Sequence, residues 1–176
     1  MSKYWDHYRK IRELDLKRPQ GAPFEGIPKR RQKVAEYIAR VSNGGFTLEL
    51  GMDNHRFLPD SIALDINRTF LSIPGEKIEA DWHYMPFKAD VFDQVIWSEG
   101  PEHSHDPSSV FSEIARVLKK DGQVIVTCPN GNAIPDWQHL TSFNTTSLKE
   151  LLVKFFLKVE VEEWEIYLLG YGVDVR

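Results

Sequence analysis

An alternation of buried strand, amphipathic helix and buried strand constrains this chain more than anything else in it. DQVIWS (93–98) and GQVIVTC (122–128) are short apolar runs of the kind a strand covered on both faces requires. Between them, SVFSEIARVLKK (109–120) places Val110, Ile114, Val117 and Leu118 on one helical face. Two such strands joined by a helix pair in parallel, with the helix crossing over the sheet. Upstream, FTLEL (46–50), SIALDI (61–66) and the weaker KIEAD (77–81) add three strands. Downstream, TSLKELLVKFF (146–156) reads as a helix with Thr145 or Thr146 as its cap, and FLKVEVEEWEIYLL (156–169) as one or two antiparallel closing strands. The expected fold is α/β: a doubly wound, mostly parallel, seven-stranded sheet with antiparallel C-terminal strands.

Before residue 46 the texture is helical. Residues 2–15 form one expected helix, and Pro28 followed by KRRQKVAEYIARV opens a second, with Val34, Ile38 and Val41 on one face. The intervening RPQGAPFEGIP is irregular in expectation, and Asn43-Gly44-Gly45 ends the second helix. We therefore read residues 1–176 as a single domain, with a helical N-terminal cap over 1–45 and the sheet over 46–176.

Composition narrows the function classes. Hydrophobic residues make up 41% of the chain and charged residues 27%, a globular balance that excludes collagen and coiled coil. No apolar run approaches the roughly 18 residues of a membrane span, so no membrane partner is expected. MSKYWDHYRK has no signal-peptide stretch, and a lone Cys128 fits a reducing, cytoplasmic setting. Residues 1–40 carry 11 Lys/Arg against 5 Asp/Glu, while the rest is acidic. That basic leader lacks aromatic interleaving beyond its first eight residues, so nucleic acid is not the expected partner.

In a doubly wound sheet the ligand lies beyond the carboxyl ends of the strands, where the strand order reverses. The successive ends here present Glu49 and Gly51, then Asp65, then Asp81 with Trp82, then Ser98 and Glu99. An acid ending the second strand suits ribose hydroxyls. A carboxylate beside an aromatic ring at the next end suits a purine amine and its ring face.

At this point the chain resembles the class I S-adenosylmethionine-dependent methyltransferases, over residues 46–156. LELG resembles the end of the glycine motif, IALDIN the acidic second strand, and EADWHYMPF the adenine-contacting segment. FDQVIWSEGPEH resembles the fourth-strand motif, EIARVLKKDGQVIVTCPN the helix and strand after it, and HLTSFNTTSLKELL the segment that follows. The resemblance implies a Rossmann-like fold, S-adenosyl-L-methionine as cofactor and methyl transfer to a small-molecule or glycan-like acceptor. It assigns Asp65 to the ribose, Asp81 and Trp82 to the adenine, and Glu49, Gly51 and Ser98 to the methionine end.

Two stretches depart from the motif or invite another reading. ELGMDNHRF keeps Gly51 but puts Asp53 and His55 at the second and third glycine positions. A rival expectation is therefore an inactive methyltransferase-like binding or scaffold protein. In SEGPEH, Glu99, Glu102 and His103 stand at i, i+3 and i+4, and carboxylates with imidazole can bind a divalent cation, His139 adding a ligand. Gly100-Pro101 interrupts the helix that would align them, so no metal is expected and His103 is read as the catalytic base. His83 reads as an exposed turn residue, and Cys128 as a small core residue.

Overall fold

The computed structural model describes residues 27–51, 56–66, 75–131 and 138–176, with side chains from residue 32 onward. The expected helix over 2–15 with Tyr4, Trp5 and Tyr8, and the loop residues Asp53 and His55, lie outside the described residues. The chain divides into two compact units, Met1–Lys33 and Val34–Arg176. The described part of the first is the opening of a helix; the second holds the whole sheet.

Seven strands form that sheet: β1 (Thr47–Leu50), β2 (Ile62–Asp65), β3 (Lys77–Glu79), β4 (Phe92–Ser98), β5 (Leu118–Pro129), β6 (Phe156–Trp164) and β7 (Tyr167–Val175). Their spatial order is β3-β2-β1-β4-β5-β7-β6. The first five are mutually parallel, and β7 runs antiparallel to both β5 and β6. The order reverses between β1 and β4, which fixes where a ligand of this architecture sits.

Burial on both faces explains the continuous apolar runs. Along β4, Val95 and Trp97 join one hydrophobic cluster and Ile96 the other. Along β5, Val124, Val126 and Cys128 alternate in the same way with Ile125. Successive side chains leave a strand on opposite faces, so a strand covered twice must be apolar at every position. Helix α1 (Ile27–Val41) covers one face with Val34, Tyr37 and Ile38, against Ile96, Ile125 and Leu169. Helix α2 (Pro107–Val117) and helix α3 (Thr145–Leu152) cover the other, through Phe111, Ile114, Leu148 and Leu152.

Local structure departs from expectation at two ends. Leu118, Lys119 and Lys120 belong to β5, because the helix passes into the strand without a loop. Leu118 takes φ −72° and ψ 145° and pairs with Phe92, so strand pairing outbids its helical periodicity. The cap of α3 is Asn144, not Thr145 or Thr146. Its side chain accepts from Ser147 N–H at 2.9 Å while Ser147 Oγ accepts from Asn144 N–H at 2.9 Å, a reciprocal box a threonine one residue later cannot form. Asp106 caps α2 by accepting from Ser109 N–H at 3.1 Å. The closing segment is two strands, turned at Glu165 and Ile166 between the paired Trp164 and Tyr167. Among the described residues no helix is long and apolar enough to cross a membrane.

Candidate functional site

Register places the strand ends side by side. Leu50 pairs with Leu64 on one side and with Trp97 on the other, which sets Gly51 between Asp65 and Ser98. Gly51 has φ +67°, a conformation that favours glycine, and its N–H donates to the Leu64 carbonyl at 3.0 Å. A methyl group on Gly51 would stand 2.8 Å from the Trp82 ring. Gly51 and Trp82 are therefore in direct apposition, and Trp82 meets Trp97 edge to face at 5.6 Å.

Glu49 is fully buried and its carboxylate is spent on the chain. It accepts from the Phe57 and Leu58 N–H groups, both at 2.9 Å, and from the Ser61 hydroxyl at 2.5 Å. Burial pushes its carboxyl above the usual range, and these donors partly offset that. Residues 56–61 are turns and bends, so the carboxylate does for this corner what a helix would do by its own backbone. Arg56 ties the same corner to the Ser61 and Glu76 carbonyls.

Asp65 ends β2 with only 8% exposure, and its carbonyl accepts from Ala80 N–H at 3.1 Å, which brings the Asp81–Trp82 turn beside it. Asp81 Oδ1 accepts from His83 N–H at 2.9 Å, an Asx turn, and meets His83 Nδ1 at 2.7 Å. His83 Nε2 meets Ser104 Oγ at 3.0 Å. His83 is therefore not an exposed turn residue: it is 5% exposed and links the turn after β3 to the loop after β4. The following Met85-Pro86-Phe87 segment is fastened to α2. Glu113 accepts from Met85 N–H, and Arg116 donates to the Met85 and Phe87 carbonyls. Arg116 also hydrogen-bonds Glu113, which holds that carboxyl below its usual range.

At the end of β4, Ser98 Oγ and Thr127 Oγ1 are 2.8 Å apart, and Thr127 Oγ1 donates to Glu99 Oε1 at 3.1 Å. The threonine has one proton and gives it to Glu99, so Ser98 is the donor to Thr127. Ser98 then offers only lone pairs to a ligand. Glu99 takes φ +53°, and Gly100 follows where a methyl group would fall 2.0 Å from Trp97 Nε1. Pro101–His103 forms one turn of 3-10 helix, with Glu102 3% exposed and His103 half-buried. Cys128 lies behind this turn, fully buried, with its thiol pushed up by burial and by the Glu102 and Glu99 charges. It is a core residue, not a nucleophile.

The profile of the methyltransferase domain family matches residues 39–126. The chain belongs to this family. UbiE of Wigglesworthia glossinidia brevipalpis, a ubiquinone/menaquinone biosynthesis C-methyltransferase, is 34% identical over 77 residues, covering 37% of this chain and 31% of that protein. The chain thus spans about a third of the length of this curated relative. A SAM-dependent methyltransferase from Archaeoglobus fulgidus has a TM-score of 0.70 at 16% identity, over 81% of this chain and 94% of that one. The N-methyltransferase NodS of Bradyrhizobium japonicum, crystallised with S-adenosyl-L-homocysteine, scores 0.66 at 12% identity, over 88% and 89%. At these identities the structures share the fold.

Within the methyltransferase-domain fold, Gly51, Asp65, Asp81, Trp82 and Ser98 stand along one edge of the sheet, and His103 follows on the turn after β4. Glu49 stands at the same strand end but faces the 57–61 segment. Sequence reasoning missed His83, Ser104 and Thr127. The Asp-x-His spacing carried a usable signal, because an Asp that accepts from the N–H two residues on turns the chain back upon itself. Thr127 carried none, since only the β4–β5 register brings it to Ser98.

Proposed function

We propose that this chain transfers a methyl group from S-adenosyl-L-methionine to a small-molecule or glycan-like nucleophile. The observation that carries the reading is the row of Asp65, Gly51 and Ser98 on three neighbouring strands at the point where strand order reverses, with Trp82 against Gly51. These residues fit the cofactor: Gly51 presents bare backbone, and Ser98 presents the lone pairs of a hydroxyl whose proton is turned away to Thr127. Asp65 would hold the ribose hydroxyls, and Asp81 with Trp82 the adenine. Ser98 suits the methionine ammonium rather than its carboxylate, because its oxygen can only accept. Glu49 acts indirectly, by fixing the corner that Gly51 begins.

The bound cofactor supplies an electrophilic methyl on a sulfonium, so the chain needs to align an acceptor in line and exclude water. His103, half-buried on the turn after β4, is the acceptor-side imidazole in this reading. UbiE and NodS are named for C- and N-methylation, and the present reading leaves the acceptor at the level of a small nucleophile.

Titration calorimetry with S-adenosyl-L-homocysteine and, separately, with NAD tests the proposal. Saturable binding of the first and none of the second is expected. Absence of the first would overturn it in favour of an inactive methyltransferase-like scaffold.

A further inference from the structure

His83 stands outside the cofactor row, yet it touches the residue assigned to the adenine at two points. Asp81 Oδ1 accepts from the His83 N–H at 2.9 Å and lies 2.7 Å from His83 Nδ1. An ionised carboxylate only accepts, so Nδ1 carries the proton and both donors fall on one oxygen. Together they fix the rotation of the carboxylate, and an amine that reaches Asp81 meets the other oxygen, Oδ2. The side chain of Asp81 is 13% exposed and that of His83 4%. A ligand arriving along the open edge therefore meets the carboxylate, with the imidazole behind it.

The far side of the ring is anchored in the fold. His83 Nε2 meets Ser104 Oγ at 3.0 Å, and that hydroxyl accepts from Asp106 N–H at 3.2 Å. Ser104 N–H closes the 3-10 turn on the Pro101 carbonyl at 3.2 Å, and the Ser104 carbonyl accepts from Thr141 Oγ1 at 2.8 Å. Asp106 in turn caps α2. The imidazole is thus a strut between a fixed point after β4 and a carboxylate on the turn after β3. The main chain of that turn has its own support. Tyr84 N–H donates to the Asp81 carbonyl at 3.0 Å, and Met85 N–H to Glu113 at 2.9 Å. Loss of the ring therefore frees the carboxylate more than it frees the backbone.

We propose that His83 is a positioning residue that makes the site select adenine over a deaminated purine, by holding the Asp81 carboxylate where it accepts from the exocyclic amine. The inference rests on the methyl-transfer reading, which assigns Asp81 to the adenine and gives His83 no part. A carboxylate that swings freely can turn aside and tolerate a purine with a carbonyl in place of the amine. A carboxylate pinned at Oδ1 cannot turn, and it meets that carbonyl with lone pairs against lone pairs. The pinned acceptor therefore acts twice, in favour of the amine and against its replacement. The imidazole reaches the ligand only through Asp81.

The test is calorimetric titration of the whole chain with S-adenosyl-L-homocysteine and with its deaminated analogue, S-inosyl-L-homocysteine. The unsubstituted protein is expected to prefer the first by at least ~10-fold, the scale of one hydrogen bond to a charged group. His83→Ala should cut that preference to ~3-fold or less, as a loss of most of that bond. His83→Asn, whose amide nitrogen can stand where Nδ1 stands, should restore it. His83→Gln reaches Ser104 instead, and should recover thermal stability without recovering the preference. A merely structural histidine would weaken both ligands by one common factor, and an unchanged ratio in His83→Ala overturns the proposal. A preference restored by Gln and not by Asn overturns it too. Should His83→Ala fail to fold, the contrast between Asn and Gln decides alone. Equal affinity of the unsubstituted protein for both ligands removes the proposal and leaves the methyl-transfer reading standing. Binding of neither removes that reading, and the proposal falls with it.

Discussion

The corner between β1 and β2 and the corner between β4 and β5 flank the same site and are held by opposite means. At the first, one buried carboxylate satisfies two backbone N–H groups and a hydroxyl. At the second, hydroxyls join side chain to side chain, from Ser98 to Thr127 to Glu99. The first arrangement concentrates its dependence in one residue, because removing it orphans the Phe57 and Leu58 N–H groups at once, while Ser61 keeps the Leu58 carbonyl. The second spreads it, since removing Ser98 or Glu99 breaks one link and removing Thr127 breaks two. Stability should therefore respond most strongly at Glu49, and ligand affinity at the residues along the open edge.

The largest effect is expected from Glu49→Ala, at about 3 kcal/mol or more of lost stability in urea unfolding, from buried donors left unmade. Glu49→Gln should cost less than half as much, because burial already works against the charge and the amide oxygen still accepts. Equal costs for the two variants would mean that the charge, not the hydrogen bonding, holds this corner. Next comes Asp65→Ala, which should weaken S-adenosyl-L-homocysteine binding by about 1.5–3 kcal/mol while moving the unfolding midpoint little. Calorimetry that finds unchanged affinity takes Asp65 out of the site.

His83→Ala ranks third, with about 1–2 kcal/mol of destabilisation from a buried Ser104 hydroxyl and an Asp81 oxygen each losing the same partner. Thermal unfolding checks it, and a cost near zero would make the Asp81–His83–Ser104 link incidental. The smallest effect concerns acid. The folded-state pKa of Glu113 lies below its ordinary value of 4.5, so its contribution is fully present above that pH and is lost as pH falls through the depressed value. Glu113→Gln should flatten the acid limb of the stability profile by about 0.5–1 kcal/mol, the scale of a partly exposed pair. An unaltered limb would assign acid sensitivity elsewhere, with Asp93 the next candidate through its Lys119 bond.

The sheet itself was largely legible in the amino-acid sequence, because burial on both faces writes continuous apolar runs at β4 and β5 and strand-end acids mark where each parallel strand stops. What stayed hidden depends on partners distant in the chain. The helical period through Leu118 is real, yet pairing with Phe92 makes that residue a strand. Asn144 outcompetes two adjacent threonines because only it stands three residues before Ser147. His83 looked exposed because nothing local announces Ser104, which follows on the far side of β4. At Gly100-Pro101 the sequence rule for helices applied, but the chain formed a tighter turn.

The closing hairpin has a consequence for solubility. It leaves β6 as one border of the sheet and the three-residue β3 as the other. A long bare border invites a second chain to add a strand, the first step toward aggregation. β3 is too short to template one. β6 is nine residues long, with Leu157 58% exposed, and its protection comes from charge: Lys158, Glu160, Glu162 and Glu163 stand exposed along it. Glu162 is paired with Arg40, and the carboxylates of Glu160 and Glu163 would face their own counterparts on an approaching copy. The acidity concentrated in this hairpin thus guards a border that the fold cannot bury.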